Sequence, residues 1–276
     1  MAGRGYKTEA VVLRSLRFGE ADRVLHLYTL ERGRVGAVAK GIRRTKSRFG
    51  EADRVLHLYT LDRGRVGAVA KGIRRTKSRF GARLEPLSHV ELMLHQGSGE
   101  LGTVTGASLV RAHRGAREES YRLSVGLVGL EAMLRLFTEQ ERNPRAFEAL
   151  TRFLDVLDDA EVRETEPALD PLVLSFQLKL LWLSGYLPHL TSCAECGSDG
   201  PLVGYSPEAG GAVCERCGAG SLALSGEGIV GIEGLLATPL ADAAISRQAA
   251  REALRVITSS YEYHGGFRLR TLASRA

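Results

Sequence analysis

The chain has 276 residues, 44% apolar and 25% charged, with a net charge of +6. That is ordinary for a soluble globular protein and is enough for two domains with sizeable cores. No apolar run approaches membrane-spanning length, and Met1 to Lys7 is polar rather than signal-like, so the expected compartment is the reducing cytoplasm. Charge is unevenly placed. Residues 1–81 hold 20 Lys/Arg against 7 Asp/Glu, and residues 82–276 hold 18 against 25. The basic part points to a polyanion partner.

In chain order, the first element is a strand over Lys7–Leu13. Arg23–Thr29 (RVLHLYT) alternates along its length, Glu31-Arg32-Gly33 makes a turn, and Arg34–Lys40 returns as a hairpin. The same hairpin recurs at Arg54–Thr60 and Arg65–Lys71. Two further strands are expected at His89–His95 and Leu101–Val110, joined by the Gly-Ser-Gly turn at 97–99. Counting one copy of the hairpin gives five short strands, which suit a small closed barrel of the OB type; pattern alone also admits a small sandwich or an SH3-like barrel.

After Arg114 the period becomes helical. Ser120–Phe137 carries a stripe of Leu123, Leu127, Leu130, Leu134 and Phe137. Asn143-Pro144 and Asp170-Pro171 are both helix starts, an N-cap followed by Pro at the first helical position. The first of these helices buries Phe147, Leu150, Phe153, Leu154 and Leu157. The second, Leu172–Leu183, is apolar nearly all round and belongs at the centre of its domain, with Gly185 as its C′ residue. A last helix spans about Ser246–Tyr261. The expected class is α+β, with a barrel domain over residues 1–112 and a helical domain over 113–276.

Residues 17–47 recur at 48–78 with a single change, Glu31 to Asp62, and a third copy starts at Arg79-Phe80-Gly81 and stops. Stacked repeats diverge and cap their ends, so two copies this alike read as a recent duplication rather than a solenoid. The spacing does not decide which copy fills the barrel. Each copy carries the basic stretch GIRRTKSR, at 41–48 and 72–79, preceded by Lys40 or Lys71. A loop of this content can follow a phosphate backbone without reading bases. The candidate contacts are Lys40, Arg43, Arg44 and Lys46 with their copies Lys71, Arg74, Arg75 and Lys77. Tyr28, Tyr59, Phe49 and Phe80 are nearby and could stack on bases, although core packing is the simpler role for each.

The four cysteines form two C-x-x-C pairs, Cys193/Cys196 and Cys214/Cys217, with seventeen residues between the pairs. This spacing suits one zinc ion held by four thiolates in a knuckle over 193–217. Four protein ligands leave no position for a catalytic water, so the ion is structural. Two disulfides and redox C-x-x-C chemistry are the competing readings. His189, four residues before Cys193, could replace a ligand. Catalytic constellations are thin. Glu20/Asp22 and their copies Glu51/Asp53 are paired acids that could bind Mg²⁺ in a nuclease, or could cap a turn and position Arg23 or Arg54. A pure protein adaptor is the other alternative.

Taken together, the G-E-A-D-R-V-L strand entry, the T-x-E-R-G-R turn, A-K-G-I-R-R and S-R-F-G-A-R-L-E-P resemble the RecO family of DNA-repair recombination mediators. The resemblance continues through G-E-L-G-T-V at 99–104, L-x-G-Y-L-P-x-L at 183–190, the cysteine pairs and a final helix with Tyr261, Tyr263 and His264. It covers nearly the whole chain. It implies an N-terminal OB fold, a helical C-terminal domain and a zinc knuckle, which only part of the family carries. It also implies a non-enzymatic function: binding of single- and double-stranded DNA, annealing of complementary strands, and a complex with RecR that loads RecA onto DNA covered by single-strand-binding protein. Localisation at the nucleoid would follow. The departure from the family pattern is the repeat, because that pattern has one copy.

Overall fold

The computed structural model describes residues 5–17, 23–29, 33–39, 52–75, 78, 80–97, 101–163 and 165–273. The N-terminal part is β-structure: β1 (Gly5–Arg17), β2 (Arg23–Thr29), β3 (Gly33–Ala39), β4 (Arg54–Thr60), β5 (Gly64–Ala70), β6 (His89–His95) and β7 (Gly102–Arg111). Five of these close into a barrel of order β1-β4-β5-β7-β6. The second copy of the repeat supplies β4 and β5. The first copy forms β2 and β3, a separate two-stranded sheet whose register, Arg23↔Ala39 to Thr29↔Gly33, reproduces that of β4 and β5.

The 13-residue β1 serves two neighbours. Its first half pairs with β6 and its second half with β4, and the register shifts between Val12 and Arg14. That bulge leaves Leu13 out of the pairing and adds it to the apolar cluster of the helical part, while Ala10 and Val12 face the barrel interior. Leu56, Leu58, Val66, Ala68, Val90, Leu92, Leu94 and Val104 fill that interior, and Ile73, Phe80 and Leu84 join it from the turns. Alternation along the strands then places Val11 and Tyr59 on the outer surface, where they pack with Leu87 into the helical core. Tyr59 meets Phe137 edge to face at 5.5 Å.

The barrel is also fastened by polar contacts. Arg65 Nη1 donates to the Leu134 carbonyl at 2.6 Å, and the Gln140 N–H donates to the Arg65 carbonyl at 2.9 Å. Gly64 has φ +61°, and a Cβ there would lie 1.8 Å from the Glu141 carbonyl oxygen, so this turn requires glycine on two counts. Buried His113 bridges the Leu87 carbonyl (2.7 Å, from Nδ1) and Asp155 Oδ1 (3.0 Å, from Nε2).

The helical part comprises α1 (Arg114–Glu118), α2 (Ser120–Leu136), α3 (Pro144–Asp159) and α4 (Pro171–Leu183), then β8 (Leu202–Ser206), β9 (Gly211–Cys214) and β10 (Leu222–Ala223). These are followed by α5 (Gly226–Ala237), α6 (Arg247–Gly265) and α7 (Arg270–Ala273). Both expected caps form: Asn143 accepts from the Ala146 N–H and Asp170 from the Leu172 N–H. All five apolar residues expected on α3 are buried, and α4 is buried nearly all round. Gly185, with φ +84°, ends α4. Among the described residues no helix is long and apolar enough to cross a membrane.

The expected stripe of α2 holds at four of its five residues, with Leu130 and Phe137 buried and Leu123 and Leu134 packed against the core, and fails at one. On α2, Leu127 is exposed, and the buried side is Val125, Gly126, Val128, Gly129, Leu130, Ala132 and Met133. Close approach is the reason. A Cβ on Gly126 would lie 2.4 Å from Leu87, and one on Gly129 would lie 2.6 Å from Phe153, which itself stacks on Phe176 at 4.3 Å. Small residues let α2 lie against the barrel turn and α3 at once, and Leu127 alone is turned outward.

Gln177, in the middle of α4, is fully buried with no partner for either amide atom. An unmet buried amide costs about 1–3 kcal/mol. Gln177→Leu, similar in volume, is therefore expected to raise stability by about that amount. A urea midpoint that falls in this variant would show that the amide has a bonding role.

Candidate metal centre and nucleic-acid interface

The four cysteines are brought together by one small sheet. Strands β10, β8 and β9 lie in that order, β9 ends at Cys214, and the Cys193–Cys196 turn is tied to β9 by the Ala194 N–H donating to the Ala212 carbonyl at 2.8 Å. The four sulfur atoms all lie within 4.8 Å of one another. Cys196 Sγ and Cys214 Sγ are 3.8 Å apart. A tetrahedron with metal–sulfur bonds of about 2.3 Å has edges of about 3.8 Å, whereas a disulfide needs about 2.05 Å. The cluster therefore has the size of a metal cage, and all four thiols are free.

Its electrostatics fit a cation. Backbone N–H groups of Cys214, Cys196 and Glu195 point at the Cys193 sulfur and hold its thiol down at about 6. The Cys214 thiol is lowered chiefly by the Cys217 N–H. Cys217 is pushed up to about 12, first because its proton is held by the Cys196 sulfur and then by burial. Four sulfurs this close cannot all be ionised unless positive charge lies among them, and a bound cation would displace the remaining protons. His189 is exposed and bonds Ser192 Oγ at 2.8 Å, outside the cluster. The centre is fastened to the helical core through Tyr205, whose hydroxyl lies 2.7 Å from Ser260 Oγ, and through Ala212.

The basic segment after β5 is a folded turn. The Gly72 N–H donates to Asp53 Oδ1 at 2.7 Å, the Arg74 N–H to the Ala52 carbonyl at 3.1 Å, and the Arg75 N–H to the Gly72 carbonyl at 3.1 Å. Gly72 takes φ +67°. Ile73 enters the barrel core, which leaves Lys71, Arg74 and Arg75 exposed on either side of it. The structure thus brings these three candidates together at one end of the barrel. Lys77, Lys40, Arg43, Arg44 and Lys46 lie outside the described residues, as do Glu20, Asp22 and Glu51.

Two of the sequence alternatives change here. Asp53 is buried and caps the turn, which is the positioning role rather than that of a metal ligand. Tyr59 and Phe80 are both buried, one against the helical part and one inside the barrel, so neither is available to stack on a base. Elsewhere on the barrel, cations pair with carboxylates: Arg54 with Glu85 at 3.0 Å, Arg65 with Glu139 at 3.6 Å and Lys7 with Glu91 at 2.7 Å. Arg14, exposed and paired in register with His57, is a further barrel cation that lies outside the basic stretches. His57 is held below its ordinary value by burial and then by Arg14 and Arg65.

Nothing in the residue pattern signals a cleft of about 730 Å³ where α3, the end of α4 and the chain after α5 meet. Trp182, Leu187 and Leu240 supply its apolar rim, and its charge is mixed, Arg145, Arg152 and Lys179 with Glu148 and Asp155. Lys179 is committed at the cleft floor, donating to the carbonyls of Leu235, Leu236 and Thr238 at the end of α5. Trp182 is 54% exposed. An apolar-all-round helix leads one to expect that tryptophan inside, and only the three-dimensional end of α4 shows otherwise.

A closed barrel with an exposed basic turn at one end, set on a helical body that holds a four-cysteine centre, defines a mixed α+β protein. The family description "Recombination protein O C terminal" matches residues 117–273, and "Recombination protein O N terminal" matches twice, at 1–51 and 48–113, dividing at the boundary between the two copies. The chain is 42% identical over 262 residues to the DNA repair protein RecO of Rubrobacter xylanophilus, covering 93% of this chain and 90% of that one. It is 36% identical over 238 residues to the RecO of Streptomyces avermitilis, with 84% and 82% covered, and 34% identical over 214 residues to that of Cutibacterium acnes, with 77% and 74% covered. The chain belongs to the RecO family, whose members are named as DNA repair proteins and not for a catalysed reaction.

Proposed function

We propose that this protein is a recombination mediator that binds single- and double-stranded DNA through the basic end of its barrel and anneals complementary strands. With RecR it promotes loading of RecA onto DNA covered by single-strand-binding protein. The observation that carries the reading is the turn after β5. Asp53 and Ile73 hold it from behind, so that Lys71, Arg74 and Arg75 face outward as a preformed cationic ridge. Such a ridge neutralises phosphates without selecting bases, which allows two strands to approach and the finished duplex to leave.

The barrel order supports an OB-type fold: counting one copy, the strands run 1-2-3-5-4 around the barrel. We assign residues 1–112 to this DNA-binding domain and 113–276 to the helical domain. One structural zinc ion on Cys193, Cys196, Cys214 and Cys217 completes the knuckle, supported by the spacing and the 3.8 Å sulfur–sulfur edge. The acidic balance of residues 82–276 leaves that part for protein partners. The cytoplasm, at the nucleoid, is the fitting location.

Fluorescence anisotropy with a labelled single strand, repeated across salt concentrations, tests the reading. Affinity that falls steeply with salt is expected. Absence of binding even at low salt would leave the protein-adaptor alternative.

A further inference from the structure

The part of the barrel between β1 and β7 is a binding slot for one hairpin, and the chain carries two hairpins that meet its requirements. Every residue the second copy places there has its counterpart in the first. Along β1, the slot reads Arg54 to Thr60, and residues 23–29 have the same sequence. Beside β7 it pairs Ala68 and Val69, which correspond to Ala37 and Val38. The buried residues Leu56, Leu58, Val66, Ala68, Ala70 and Ile73 correspond to Leu25, Leu27, Val35, Ala37, Ala39 and Ile42. Arg65, which fastens the barrel to Leu134 and Glu139, corresponds to Arg34. Gly64, where only glycine fits against Glu141, corresponds to Gly33. The capping pair Asp53 and Gly72 corresponds to Asp22 and Gly41.

The single difference, Glu31 against Asp62, falls at a turn position where Asp62 is exposed. Chain connectivity does not choose either. Seating the second copy closes loops of 36 and 18 residues and seating the first closes loops of 5 and 49, which differ by only about fourfold in closure. With the first copy seated, residues 18–22 would join β1 to β2, an ordinary hairpin length. Arg-Phe-Gly recurs at 17–19, 48–50 and 79–81, so the junctions are also alike.

We propose that the slot accepts either copy, and that the protein folds into two isomers that differ in which hairpin is seated and which is spare. An exposed Glu-to-Asp change shifts such a balance by only about two- to threefold. Both isomers are therefore populated. Exchange between them needs the barrel to open, so each persists once formed. Neither isomer requires DNA in order to form.

Hydrogen exchange read by mass spectrometry tests it, because peptides spanning Glu31 and Asp62 differ in mass by one methylene. In the native protein both peptides are expected to show a protected and an unprotected population. In the variant Leu56→Asp with Leu58→Asp, two carboxylates would enter the barrel if the second copy stayed seated. Protection is then expected to move wholly to the Glu31 peptide while the β6 peptides stay protected. Protection that remains on the Asp62 peptide, or that disappears from the barrel altogether, overturns the proposal. So does a native protein whose Glu31 peptide is uniformly unprotected. The same double substitution in a chain lacking residues 17–47 is expected to lose barrel protection, since no second hairpin remains to take the slot.

Discussion

Replacing Cys214 by serine is expected to lower the melting temperature by about 8–16 °C while leaving strand binding at low salt in place. A metal held at a thousand times its dissociation constant contributes about 4 kcal/mol to stability. For a protein of this size each kcal/mol shifts the midpoint by about 2–4 °C. The loss should be confined to stability because the cluster lies on the β8–β9–β10 sheet, which is separate from the barrel sheet, and reaches the helical core through Tyr205 and Ala212. Chelation of the native protein should reproduce the shift, with close to one equivalent of zinc released. A variant that keeps its melting temperature but no longer binds a strand would place the cysteines in the DNA interface instead.

The second large effect concerns charge. Changing Lys71, Arg74 and Arg75 to alanine together with Lys40, Arg43 and Arg44 is expected to weaken single-strand binding by orders of magnitude at moderate salt. Every phosphate that is no longer neutralised should also flatten the plot of log affinity against log salt by about 0.7, up to about 4 for all six. Both copies must be changed, because each carries the full basic stretch. Stability should hardly move, since Lys71, Arg74 and Arg75 are exposed and the anchors Ile73 and Asp53 are kept. An unchanged salt slope would mean that the strand lies elsewhere on the barrel.

Much of this fold could be read from local signals. The starts of α3 and α4 were legible because Asn143-Pro144 and Asp170-Pro171 satisfy helix ends from within four residues. The cysteine cluster was legible because spacing alone constrains a knuckle. What escaped was decided by distant neighbours. Helix α5, which carries Gly226, Gly228, Gly231 and Gly234, is absent from the elements expected from the sequence. Yet a Cβ on Gly231 would lie 2.8 Å from Ala249 and one on Gly228 would meet Glu252, so these glycines permit a close crossing with α6. The close packing at Gly126 and Gly129 of α2 escaped for the same reason. At the basic end, residue type showed the charge, but not that Ile73 plugs the barrel or that Asp53 closes the turn. Those contacts join segments that only the closed barrel brings together.

The position of Trp182 has an optical consequence. It is the chain's one tryptophan, it lies at the rim of the α3–α4 cleft, and it is more than half exposed. The protein's indole emission therefore comes from a single, partly hydrated place in the helical part. Opening of the barrel should pass almost unseen at this wavelength, whereas drying of the cleft rim should move the emission to the blue. The molecule carries a native reporter that can distinguish events at the cleft from events at the basic end of the barrel without any label.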